Sequence, residues 1–194
     1  MKTKEILKLI FVNPFEKIAG WQALGLGLQP ILIIAILGSE LGVYFDGALD
    51  LHLSGSPYSL WKALAMLSIC IASIIFMFLL AGIIFSKNFR VIDVIGTTIL
   101  AKAPFLFLTL AGFIPLPEIL QDTKAIIDNP YSIFSFSLIA IILLTIPITI
   151  WLFALHYHAF KVSLNIRKNL RVVVFIFALL FAEILSKVII HYIF

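Results

Sequence analysis

A chain of 194 residues that is 62% hydrophobic and only 12% charged carries more apolar surface than a soluble domain of its size can hide. No polar stretch is long enough to build a separate soluble core, and no long basic arm exists despite the formal charge of +4, which sets nucleic-acid binding aside. Cys70, the only cysteine, lies inside an apolar run, so no intrachain disulfide can form and a metal site would need other ligands.

The first residues do not read as a cleaved signal, because Lys2, Lys4 and Lys8 interrupt the apolar positions and Pro14 follows. Thr3 to Val12 places Ile6, Leu7, Ile10 and Phe11 at helical spacing with lysines between them, a short amphipathic helix. Asn13-Pro14 restarts the chain, with asparagine as cap and proline in the first turn. Apolar runs long enough to cross a bilayer, about 20 residues each, then cover roughly 20–37, 60–85, 91–114, 132–160 and 172–192. The expected fold is all-α: a polytopic membrane protein of five transmembrane helices in a single domain.

Within the first span, Gly20, Gly25 and Gly27 allow close helix approach. The stretch from Ser39 to Ser56 reads as a solvated loop with a turn at Asp46-Gly47. Asp46, Asp50 and His52 are its alternative reading, a metal set, although their spacing matches no specific motif. In the second span, Ala65, Ser68, Ala72 and Ser73 form a narrow packing face. Ser86 to Arg90 can only be a tight turn, so spans two and three are antiparallel neighbours. A second polar loop covers 115–131, and Lys161 to Arg171 form a basic connection.

The basic residues sort to one side. Lys2, Lys4, Lys8, Lys17, Lys87, Arg90, Lys161, Arg167, Lys168 and Arg171 share a side of the five-span arrangement, against Lys62 and Lys124 on the other. The positive-inside bias makes that side cytoplasmic, with the N-terminus inside and the C-terminus outside. Lys161, Arg167, Lys168 and Arg171 are the candidate contacts for anionic lipid.

A charge inside an apolar span needs a partner, a wet cavity or a route to the interface. Thr98, Lys102 and Thr109 share a face of the third span, while Asp93 in its first turn complements the helix dipole. Glu183 and Lys187 are four apart, in the favourable order for an intrahelical pair. Thr145 and Thr149 repeat that step in the fourth span, with His156 on their face. Pro104 and Pro147 should free the carbonyls of Leu100 and Leu143. Lys102 and Glu183 fall at similar depth, so the third and fifth helices are expected to meet there in a direct pair. The resulting cluster of Lys102, Glu183, Lys187, Thr98, Thr145 and Thr149 lies between spans three, four and five. It is either a buried register lock or a pathway.

No phosphate-binding glycine loop, His-Glu-x-x-His or nucleophile elbow occurs, so an enzyme is not expected, nor any cofactor or metal. The chain resembles the Yip family of five-span proteins, named for Ypt-interacting proteins, in its bacterial form. The resemblance rests on Asn13-Pro14, on Phe45-Asp-Gly-Ala-Leu, on Asp93-Val-Ile-Gly-Thr97 and on Pro104. It implies a non-enzymatic protein of the cytoplasmic (inner) membrane. Eukaryotic relatives are associated with Rab-type GTPases and vesicle traffic through a long cytoplasmic N-terminal region, which is not expected for this chain, and a Rab partner is therefore not expected either. Two functions follow as expectations: a membrane organiser or scaffold working through helix faces, lipids, membrane-protein partners or a homo-oligomer, and a small transporter or channel for ions, protons or lipid.

Overall fold

The structure is a computed structural model that describes residues 13–114 and 136–194. The expected amphipathic helix of residues 3–12 and the second polar loop lie outside those residues, as do Lys2, Lys4, Lys8 and Lys124. The helices are α1 (Gly20–Leu41), α2 (Leu60–Phe85), α3 (Val91–Ala101), α4 (Phe105–Thr109), α5 (Phe136–Leu164) and α6 (Lys168–Ile193). Two-residue strands β1 (Val43–Tyr44) and β2 (His52–Leu53) pair antiparallel between α1 and α2. Among the described residues, five stretches are long and apolar enough to cross a membrane: Gly20–Leu41, Leu60–Phe85, Val91–Phe113, Ile139–Leu164 and Lys168–Ile193.

Several expected boundaries move. The first helix runs on to Leu41 and stops at Gly42, which takes the left-handed conformation (φ 65°) that a glycine adopts at low cost. The basic connection shrinks to Asn165–Arg167, so Lys161, Lys168 and Arg171 stand on helices. The third span is not one helix. It breaks at 102–104, ahead of Pro104-capped α4, and finishes as a 3-10 turn over Leu110–Phe113. The carbonyl of Leu100, expected to be freed by Pro104, instead accepts the Ala103 N–H at 3.0 Å, because the chain tightens into three-residue turns there. Pro30 and Pro147 lie inside unbroken helices.

The two ends of the bundle follow from neighbouring residues. Gly20 lies beside Asp93 and Gly82 beside Leu164, so the starts of α1 and α3 share an end with the turns at 86–90 and 165–167. Lys17, Lys87, Arg90, Lys161, Arg167, Lys168 and Arg171 all belong to this basic end. Gly112 packs on Leu41 and Val43 at the opposite, hairpin end.

The closest helix crossing joins α1 to α3. A Cβ built on Gly27 would stand 2.6 Å from the Leu100 backbone nitrogen, and one on Gly96 would collide with the Gly20 carbonyl. Backbone touches backbone here, and only the missing side chains allow it. Gly25, by contrast, faces open space. The expected narrow face of α2 packs only in part: Ser73 is buried and Ala65 half-buried, whereas Ser68 and Ala72 are exposed, and the buried stripe also takes Ala63, Met66, Cys70, Ile74 and Phe78.

Gly27→Leu should therefore destabilise the protein by about 1–3 kcal/mol, the usual cost of overpacking, with Gly25→Leu close to neutral. Thermal unfolding of the purified variants in one detergent checks this, and equal melting temperatures would mean that the α1–α3 contact is looser than described.

Candidate functional site

The stretch expected to be a solvated loop is partly buried instead. Val43, Phe45 and Ala48 are fully inaccessible, and Phe45 lies against the Phe105 ring with centroids 6.0 Å apart. The pairing Val43↔Leu53 and Tyr44↔His52 closes a hairpin whose tip, residues 46–51, turns back into the bundle. Gly47 makes this possible, since any Cβ there would overlap the Glu183 carboxylate.

A buried tip outside a ladder leaves backbone groups in need of partners. Helix side chains supply them. Lys102, fully buried at the end of α3, donates to the Ala48 carbonyl. Ser186 Oγ accepts the Ala48 N–H at 2.8 Å and donates to the Glu183 carbonyl at 2.9 Å. Glu183 Oε2 accepts the Leu49 N–H at 2.7 Å. Cys70 Sγ faces the Phe45 carbonyl at 3.7 Å. Lys102 Nζ also stands 3.3 Å from the centroid of the Phe105 ring, a cation–π contact away from water.

The expected direct pair between Lys102 and Glu183 is absent. The hairpin tip occupies the space between them, and each charge binds a different backbone group of it. Glu183 instead pairs with Lys187 at 3.1 Å, and Lys187 reaches Asp50 at 2.8 Å. Asp50 is thus drawn away from Asp46 and His52, which pair with each other at 2.9 Å, and the three residues of the alternative metal reading do not converge.

Aromatic rings hold the hairpin from the other side. Tyr58 stacks on Tyr44 at 4.2 Å, and Tyr44 stacks on His52 at 5.2 Å. The Tyr58 hydroxyl donates to the Val43 carbonyl at 2.6 Å, and burial, with Tyr44 beside it, pushes the phenol above its usual range. An open cavity of about 370 Å³ lies next to this stack, lined by Tyr44, Asp46, His52, Lys62 and Lys187 among others.

The remaining candidates separate. Thr98 and Thr109 are buried, as Lys102 is, with Thr109 donating to the Phe105 carbonyl at 2.9 Å. Thr145 and Thr149 are half-exposed and stand apart from the cluster. His156 is fully buried on α5 and donates through Nδ1 to the Leu152 carbonyl at 2.9 Å. Its Nε2 and the Thr98 hydroxyl lack partners among the described residues, and both residues lie at about the same depth from the basic end. Asp93 sits in the first turn of α3, 3.7 Å from Arg90, and makes no side-chain cap. At the basic end, the Arg171 guanidinium donates to the Ile166 carbonyl at 2.8 and 3.1 Å, tying down the α5–α6 turn, in which Asn165 takes a positive φ. Lys161, Arg167 and Lys168 are exposed.

Sequence reasoning missed Ser186, Cys70 and the tip backbone as parts of this site. Gly47, three residues from Asp50 in a strip that mixes acidic and apolar residues, was the available signal.

The fold and site define a helical bundle of membrane type, in which a hairpin re-enters from one end and is held by buried charges. No family model, curated protein or solved structure matches the chain.

Cys70 reports on the hairpin. In the intact protein its reaction with a small maleimide should be slow. Lys102→Met or Glu183→Gln removes a hydrogen bond to a charged group and should speed labelling at least about tenfold through local opening. Combining the two should not restore the slow rate, since Ala48 O and Leu49 N–H would then both lack partners. Restoration would instead indicate a direct pair.

Proposed function

We propose that this chain is a non-enzymatic integral membrane protein, similar to the Yip family, that organises or scaffolds the cytoplasmic membrane. The observation that carries this reading is the engagement of a buried lysine, a partly buried glutamate and a buried serine. Lys102, Glu183 and Ser186 hold a hairpin in place, which is a structural task, and none is left lining an open route. The basic end faces the cytoplasm, by the positive-inside bias. There its exposed cations attract anionic headgroups. The hairpin end, with Trp61 exposed and Lys62 over the Tyr44 ring at 5.2 Å, suits the opposite interface.

One observation favours a transport reading instead. Two buried polar atoms without partners among the described residues, Thr98 Oγ1 and His156 Nε2, stand at a similar depth from the basic end. A hydrogen-bonded chain through them would carry protons.

Flux measurements separate the two. Purified protein in liposomes should pass protons, potassium and sodium no faster than empty vesicles do. Proton flux that disappears in His156→Gln would favour transport and sink the scaffold reading.

Orientation has its own check. In a Cys70→Ser background, a cysteine replacing Ser54 should react with an impermeant maleimide applied to intact cells, and one replacing Asn169 should not. Labelling of the Asn169 position would reverse or dismantle the five-span arrangement.

A further inference from the structure

A groove of about 370 Å³ runs along the face between α2 and α6, in the half of the bundle nearest the basic end. On α2 it follows positions 77, 80, 81, 84 and 85, and on α6 positions 170, 173, 174, 177, 178 and 181. Both sets are unbroken helical stripes. Its floor is made of small side chains: Ala81 is 6% exposed and Ala178 4%. Its rims are large: Phe177 is 55% exposed and Phe181 53%, stacked on each other, with Ile84 across from them. From Leu170 to Phe181 the groove extends about 16 Å along the helix. No charged residue lines it.

The basic end closes this slot with charge. Arg167 is the residue that caps α6, three positions before Leu170, at the end of the helix where the groove begins. Lys87 lies two residues beyond Phe85, at the end of α2. Both are exposed, and neither has an acidic partner among the described residues. Arg171 does not join them, because its guanidinium is held by the Ile166 carbonyl.

We propose that this groove is a seat for one anionic phospholipid: an acyl chain lies over Ala81 and Ala178 between the aromatic rims, and the phosphate sits between Arg167 and Lys87. The proposal rests on the membrane reading above and adds a defined site to it. Charge complementarity selects the occupant. A wholly apolar slot would take any chain, but exposed cations beyond its basic end, one following α2 and one preceding α6, favour a lipid with net negative charge over a zwitterionic one. Small floor residues between large rims give the chain contacts on three sides, which a flat helix face does not offer.

Native mass spectrometry of the detergent-purified protein with equal phosphatidylglycerol and phosphatidylcholine tests this. Phosphatidylglycerol should be retained preferentially, one per chain. Arg167→Gln should lower its retention about fivefold and leave phosphatidylcholine unchanged, as should Lys87→Gln. Ala178→Phe fills the floor and should lower retention of both lipids. The double change Phe177→Ala with Phe181→Ala removes a rim without overpacking the core, and should do the same even if Ala178→Phe fails to fold. Arg171→Gln should lower thermal stability and leave the lipid preference alone. Equal retention of the two lipids by the unaltered protein would overturn the proposal together with the anionic-lipid reading. A phosphatidylglycerol preference that survives both groove variants would overturn the groove alone. A dimer that disappears in the groove variants would show that a second copy fills it, against the proposal.

Discussion

The constraint on which this structure depends is the hydrogen bonding of a hairpin tip that has left its strand ladder. Residues 46–51 carry backbone donors and acceptors into a space surrounded by apolar helices. Water satisfies such groups at a surface, but in the proposed membrane setting each unpaired one costs several kcal/mol. Lys102, at the end of α3, and Glu183 and Ser186, on α6, answer that demand, and Cys70 on α2 faces the carbonyl of Phe45 just before the tip. The same bonds stabilise the charges, because a buried lysine or glutamate is equally in need of partners. Hairpin and charges are therefore mutually dependent, and neither would be stable in place without the other.

That dependence accounts for features elsewhere. The break after Ala101 lets Lys102 stand at a helix end, with the Phe105 ring beneath its ammonium. Gly47 lets the tip pass Glu183. Gly27 and Gly96 bring α1 against α3, so the span that carries Lys102 is held from its far side by direct backbone contact. Lys187 and Asp50 extend the network to the half-exposed rim of the hairpin end. The outcome is a bundle with two unlike ends: one a folded hairpin with aromatic stacks, the other carrying exposed cations on helix ends and short turns.

This division bears on function. A protein that uses its buried charges to immobilise a loop keeps its lipid-facing surface and its ends for interaction. The groove between α2 and α6 and the cations at its mouth belong to that outer surface, and they involve none of the residues that hold the hairpin. On the proposed reading, stability and binding fall to different parts of the same helices. The α6 stripe that ends at Phe181 faces the groove, while Glu183 and Ser186, just beyond it, face the hairpin.

Much of this was legible in the chain itself. Runs of apolar residues, interrupted by Pro, Gly and short basic turns, determine five membrane-length helical stretches, because each run is either long enough to cross a bilayer or it is not. The gathering of basic residues at one end followed from simple alternation of those runs. Lys102, Glu183 and Lys187 stood out because charge in an apolar run always needs an explanation. What they bind was decided only by tertiary structure. Helical spacing and depth place two charges at one level, but they cannot show that a loop polar enough to read as solvated, between Gly42 and Ser56, folds back between them. That choice depends on whether side chains distant in sequence can satisfy the loop's backbone better than water does, and such contacts exist only once the helices have packed.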